Sequence, residues 1–288
     1  MIDDVLLVYL PVWGARHLAM LERYTLPALA RNLRSTSFRE IRVLLCTTSE
    51  DADQAEAIIR SGLLGLPVEV SRVLDQRHAL PVAVRLAHRF GVRMLCFPPD
   101  VCFGDGSIAN MLAVSAGRDV VVAGPHLRID APAFQAEYPD GFPGGACADL
   151  VRLAFRFPHR ATLSSWLDAD SSTLVGGISL TRLDADRVAM LHMMPAPYLA
   201  RFRDEDVAFF DGNRFDAWDH DWPAILVAQR RYRMLACSDL FFGIELTGSD
   251  ENLVPAFPGT AGSERYRRAG LHHDAGSATT ILLRARPA

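Results

Sequence analysis

VEVSRVLDQRHALPVAVRLAHRFGVRMLCFPPDVCFGDGSIANML (Val68–Leu112) holds two apolar runs, each followed by a stretch of helical period. Val68, Val70 and Val73 alternate with Glu69, Ser71 and Arg72, which predicts a half-buried strand from Val68 to Leu74. Ala79 to Phe90 reads as a helix that Gly91 stops. Val92 to Phe97 is apolar apart from Arg93 and too short for a helix, so it reads as a buried strand. Pro98 and Pro99 have no amide to donate, so a central strand cannot run through them. The chain is expected to leave the sheet at about Phe97 and deliver Asp100 to the carboxyl edge. Ser107 to Ala116 then forms a second helix. Strand, helix, strand, helix at this spacing predicts parallel pairing through helical crossovers.

The same alternation extends outward in both directions. Upstream lie a strand Val5 to Val12, a helix from about His17 to Leu33, and a strand Ile41 to Cys46. SEDADQAEAIIRSG follows as a helix, with Ser49 as N-cap and Gly62 as stop. Asp119 to Ala123 is a fifth strand. The expected fold is α/β: a mostly parallel central sheet with helices on both faces. In such sheets ligands bind outside the carboxyl ends of the strands, where Pro11, Thr47, Arg77 and Asp100 fall. After about Arg128 the pattern changes. APAFQAEYPDGFPGGA reads as a long ordered loop or lid, followed by a helix Cys147 to Phe157, a β-prone run Thr173 to Thr181 and a late strand Thr279 to Leu283. The expected division is 1–130 and 131–288, packed as one unit.

Composition excludes several classes. The chain has 288 residues, 50% hydrophobic and 22% charged, with net charge −4. That balance argues against a general nucleic-acid binder. All 30 basic residues are Arg, which leaves arginine as the fixed cation for any anionic ligand. The five cysteines form no CxxC pair, so they read as free buried thiols of a reducing cytosol. MIDDVLLVYLPVWG has acids ahead of a short apolar run and reads as no signal peptide. No stretch reaches the roughly 18 apolar residues of a membrane span. The expectation is a cytoplasmic protein.

No Walker A pattern, GxGxxG, GxSxG or HExxH is present. What remains is acids at strand ends, and here the order of segments resembles GT-A-type glycosyltransferases. Val68–Leu112 is similar to their strand, Ala-rich helix and buried strand ending in D-x-D. IRVLLCTTSEDADQA is similar to their second strand and acid-rich turn, and DHDWPAILVAQRRYRMLACSD to their acid-acid-helix-strand segment. The resemblance covers roughly residues 5–125 and 215–240. It implies a nucleotide-sugar donor, a hydroxyl acceptor and a divalent cation, Mn or Mg, with a place in surface glycan or glycoconjugate assembly in a divergent bacterial relative. It also implies that Asp221 or Asp219 serves as catalytic base. Asp100 takes the place of the second Asp of D-x-D, as metal ligand. Pro98 stands where the first would be, and Thr47 where such enzymes commonly carry an acid.

The residues also bear their own reading. A cation bridging a diphosphate wants hard oxygen ligands and keeps several waters, so one carboxylate can suffice. Asp105, beside a glycine, reads instead as a turn. Asp219, His220 and Asp221 are the densest polar cluster: two close acids raise one pKa toward the range of a useful base. Equally, Asp221 caps a helix with Pro223 in its first turn. Arg77 and His78 stand where a diphosphate or nucleobase would lie. His126 and Arg128 line the same cleft or form a structural rim, and His272 and His273 are a tail pair or a metal ligand. Three functions follow: a glycosyltransferase, a non-catalytic binding or assembly relative that has lost the metal, and a nucleotidyltransferase, for which the Gly-rich signature and Lys after the first strand are missing.

Overall fold

In this computed structural model residues 5–73, 76–142, 144–166, 173–174, 178–192, 197–212, 221–251, 254–255 and 279–284 are described. The chain opens with β1 (Val5–Pro11), α1 (Ala15–Met20), a π-helical stretch Leu21–Thr25, α2 (Leu26–Arg34), β2 (Glu40–Thr47) and α3 (Ala52–Gly62). Then come β3 (Val68–Arg72), α4 (Gln76–Phe90), β4 (Arg93–Cys96), β5 (Val101–Phe103), α5 (Ser107–Ser115), β6 (Val121–Ala123) and β7 (His126–Asp130). The second half holds α6 (Ala131–Glu137), α7 (Cys147–Arg156), α8 (Arg160–Ser164), β8 (Thr173–Leu174), β9 (Ile178–Arg182), β10 (Arg187–His192) and β11 (Tyr198–Ala200). It ends with α9 (Asp204–Gly212), α10 (Asp221–Ala228), β12 (Tyr232–Met234), β13 (Gly243–Thr247), β14 (Val254–Pro255) and β15 (Thr279–Arg284).

The central sheet has the order β12-β6-β11-β4-β1-β2-β3. β1 pairs in parallel with β2 and β4, β2 with β3, and β12 with β6. β11 alone among the described strands of this sheet runs antiparallel, to both β4 and β6. The mostly parallel sheet expected from the alternation is therefore present. The central strand β1 and the buried part of β2, Val43–Cys46, are near-continuous apolar runs because both faces are covered, whereas the edge strand β3 alternates. Leu7, Tyr9, Leu44, Cys46, Met94 and Cys96 belong to one core with Ala79, Leu80, Ala83, Val84 and Ala87 of α4. Leu6, Val8, Leu10, Val43, Leu45 and Leu95 belong to another, with Leu29 and Leu33 of α2, Ile58 and Ile59 of α3, and Ile108 and Met111 of α5.

Residues after 130 enter this sheet through β11 and β12. They also supply β13, which pairs antiparallel with β5 and parallel with β7. Two expectations need correction. The stretch 131–146 is not loop throughout: Asp130 caps α6 by accepting from the Ala133 amide at 2.9 Å, and Pro132 sits in the first turn. An Asp followed by a proline in this spacing is a helix start. Nor is Ser49 the cap of α3. The N-cap position belongs to Asp51, whose carboxylate accepts from elsewhere.

Candidate functional site

β1 is flanked by β2 on one side and β4 on the other, so the strand order reverses between β1 and β4. A crevice opens outside the carboxyl ends of parallel strands at such a reversal. The segment leaving β4 is the one that carries Asp100. β4 ends at Cys96, and the amide of Phe97 makes a last bond to the Tyr9 carbonyl at 3.2 Å. The two prolines turn the chain out of the sheet. Thr25 Oγ1 donates to the Pro99 carbonyl at 2.8 Å, and the Leu246 amide to the Asp100 carbonyl at 2.9 Å. Asp100 is thereby fixed between the central sheet and β13.

Beside Asp100 lies a buried charge cluster. Glu245 of β13 accepts from Arg128 Nε at 3.0 Å and pairs with His126 Nε2 at 3.1 Å. All three side chains are largely removed from solvent, at 13%, 16% and 4% exposure. The parallel register that sets Glu245 opposite Arg128 makes this pairing. Burial opposes the charge on Glu245, but Arg128 and His126 together outweigh it and hold the carboxyl well below the usual range. Asp100 has no such ion-pair partner among the described residues. Burial first, and then the ionised Glu245, push its carboxyl up to about 7, while Arg128 and Arg16 pull the other way. His192 lies edge-on to His126 with ring centroids 5.1 Å apart. Two neighbouring carboxylates thus have proton affinities driven apart, the arrangement that lets one carry a proton near neutral pH while the other stays charged.

The turn after β13 closes the cluster against α1. Glu251 pairs with Arg16 and accepts from the Gly248 amide at 3.0 Å. His159 Nε2 meets the Gly248 carbonyl at 2.9 Å. At the exit of β1, the Gly14 amide donates to Asp51 Oδ2 at 2.6 Å, and Thr48 donates to the same oxygen at 3.2 Å. Asp51 thereby ties the loop after β1 to the turn after β2.

The other expected positions are distributed as follows. Pro11 ends β1 beside Cys46 of β2. Thr47 ends β2 but is fully buried, its hydroxyl without a hydrogen-bond partner, so it faces the interior and not the crevice. Arg77 and His78 ride on the first turn of α4, where His78 is exposed. Asp105 pairs with Arg31 at 3.0 Å and its amide donates to Gly145, as a turn residue would. His126 and Arg128 lie in a strand of their own, β7, and hold Glu245.

Asp219 and His220 lie outside the described residues, as do His272 and His273. Asp221 is the first residue of α10. The helix is anchored one residue on: Trp222 is buried and donates to Asp206 Oδ1 at 3.0 Å, and Arg231 holds Asp206 Oδ2 at 2.8 Å. Phe202 stacks on the Trp222 ring at 5.9 Å.

Asp100 is half-buried, and its neighbour Glu245 is engaged by Arg128 and His126. Pro98 offers no side-chain oxygen. Among the described residues no three His, Cys, Asp or Glu side chains gather as a cation site. That donor set does not fit a divalent cation held by the protein itself.

No protein-family model and no curated protein matches the chain. Among solved structures it is similar to Staphylococcus aureus TarS residues 1–349 in complex with UDP, at 13% identity and a TM-score of 0.40, covering 83% of this chain and 60% of that one. It is also similar to the mannosyltransferase PcManGT of Pyrobaculum calidifontis, solved with GDP-Man and Mn2+, at 15% identity and a TM-score of 0.31, covering 46% and 37%. A mannose-1-phosphate geranyltransferase of Thermus thermophilus gives 14% identity and a TM-score of 0.31, covering 73% and 54%. The chain spans between about a third and three-fifths of the length of these structures. At such TM-scores the likenesses carry no argument about activity.

No described helix is long and apolar enough to cross a membrane. The described cysteines are free, and Cys46, Cys96, Cys102 and Cys147 are buried, their thiols pushed up by burial.

Proposed function

We propose that the chain is a glycosyltransferase of GT-A type that moves a sugar from a nucleotide-sugar donor to a hydroxyl acceptor. The observation that supports it best is the coincidence of Asp100 with the reversal of strand order between β1 and β4, beside the buried Glu245, Arg128 and His126. The donor lies across the carboxyl ends of β1 and β4, its diphosphate in the field of Arg16 and Arg128, with Pro11 and the first turn of α4 (Arg77, His78) at its rim. Arginine suits the task because its fork matches phosphate oxygens.

In this reading the acceptor oxygen attacks the anomeric carbon, the bond from that carbon to the diphosphate breaks, and the hydroxyl proton passes to Asp221 or Asp219. Trp222, clamped by Asp206, fixes the start of the helix on which Asp221 stands. A manganese or magnesium ion would enter the proposal only as one that the diphosphate brings and mainly holds, with Asp100 adding at most one oxygen. A cytoplasmic site of action and a part in glycoconjugate assembly belong to the same proposal. A second reading, a binding protein of the same fold that has lost its metal, is favoured by Pro98 and by the buried Thr47.

Thermal shift against UDP, GDP, CDP and ADP, each with manganese or with EDTA, tests the reading. One nucleotide at about 100-fold excess over its dissociation constant should stabilise the fold by roughly 2.7 kcal/mol. A shift that manganese enlarges and Asp100→Asn removes assigns a cation to Asp100. A shift indifferent to manganese leaves the diphosphate to the arginines. No shift with any of the four would overturn the proposal.

A further inference from the structure

A second cleft, of about 480 Å³, opens between α7, the end of α8 and the sheet formed by β9, β10 and β15. Its volume is that of a small-molecule site. Part of its wall is apolar, with Val151 and Phe155 of α7, Trp166, Val188 of β10 and the buried Leu283 of β15, while Asp184 and Asp186 stand with the arginines at the β9–β10 turn. Phe155 and Trp166 sit with ring centroids 5.9 Å apart, and Leu163 stands 48% exposed at the rim. The backbone of Trp166 is fixed by a bridge to Leu180, and the Leu180 amide donates to Ser165 at 2.8 Å.

Four arginines line this cleft, and three are neutralised. Arg152 pairs with Asp149 at 2.5 Å, Arg156 with Glu137 at 2.6 Å and Arg187 with Asp184 at 2.5 Å. Arg182 has no carboxylate partner among the described residues. Its guanidinium lies over the Trp166 ring, 5.4 Å from the centroid. A guanidinium seated over an indole face has N–H groups left to bind a ligand, and part of its rotamer freedom is lost before any ligand arrives. Those groups have the shape of a carboxylate or phosphate receptor.

We propose that this cleft is a second ligand site, for a small amphiphilic anion: a phosphate or carboxylate on an aromatic or alkyl body. Arg182 takes the charged head, and the wall of Val151, Phe155, Trp166 and Leu283 takes the body. The site is distinct from the crevice at Asp100 and stands whether or not that crevice binds a nucleotide.

The test is a titration followed by tryptophan fluorescence and by saturation-transfer NMR, with phenyl phosphate, octyl phosphate, inorganic phosphate and phenol as probes. Phenyl phosphate or octyl phosphate should bind saturably and at least tenfold more tightly than inorganic phosphate or phenol, and the one that binds names the body. Arg182→Gln should weaken that binding at least tenfold, and Trp166→Phe should remove the fluorescence change. Because Arg182 is exposed, its substitution should leave the melting temperature in place. Inorganic phosphate binding as well as the organic phosphates would overturn the role of the apolar wall. Phenol binding as well, with Arg182→Gln indifferent, would overturn the role of the charge. No saturable binding of any probe would overturn the site.

Discussion

Asp100 is held where its charge is unwelcome. Its carboxyl is up at about 7 through burial and the charge on Glu245, against about 3.9 for an unfolded Asp. Between those two values the folded chain binds more protons than the unfolded one, so this group makes stability fall as pH rises from about 4 to about 7, and leaves it flat above. Asp100→Asn should therefore raise stability at pH 8 by more than about 1.4 kcal/mol, the worth of one pK unit. The gain should shrink toward nothing as pH falls to about 4, and urea denaturation at several pH values measures it. Glu245→Gln should act in the opposite sense. It leaves Arg128 and His126 without their carboxylate, at a cost of about 3 kcal/mol. It also relieves Asp100, whose carboxyl carbon should then titrate at lower pH by NMR.

These residues also mark what the sequence made legible. Asp100 was found because two prolines stop a buried strand at a place only the carboxyl edge can be. Glu245 is harder to read from the sequence, although its signal is present. In FFGIELTG one acid interrupts an apolar strand, and His126 and Arg128 share one face of theirs through the period of two. What linear reading lacked was the register that sets Glu245 opposite Arg128, a pairing between segments 117 residues apart.

At the scale of elements, α10 depends on the buried pair beneath it. Arg231 and Asp206 are 3% and 1% exposed, and Asp206 also accepts from Trp222. Asp206→Ala should cost about 3 kcal/mol by leaving Arg231 buried with the 3.7 Å contact to Asp119 as its one ion pair among the described residues. Amide exchange in α10 should rise more than in β1 or β2. Equal exchange in all three would show that the pair does not anchor this helix. The junction of β5 with α7 is equally close. A Cβ on Gly104 would stand 2.7 Å from the Cys147 amide nitrogen and 2.8 Å from its Cα, both backbone atoms that cannot swing away. Gly104→Ala should therefore destabilise by about 1–3 kcal/mol in chemical denaturation. Most strand and helix types in the first half followed from periodicity where the elements are long and patterned, but β5 and β7 did not, the first being three residues in a Pro- and Gly-rich stretch. α6 did not, because its seven residues lie in a Pro- and Gly-rich stretch whose one decisive signal was the Asp130 cap.

For the whole molecule, the sheet order explains why the crevice lies where it does. β1 is central, β2 and β3 lie to one side, and β4, β11, β6 and β12 to the other. The chain after residue 130 completes the sheet at β11 and β12 and seals the crevice wall with β13. The central claim is that a nucleoside diphosphate lies at the reversal between β1 and β4. Diffraction from crystals grown with the nucleotide that most stabilises the protein tests it most directly. The account predicts density for the diphosphate outside the carboxyl ends of β1 and β4, within contact distance of Asp100 and the Arg16 and Arg128 side chains. A nucleotide bound elsewhere on the protein, with the β1–β4 crevice filled by solvent alone, would contradict it.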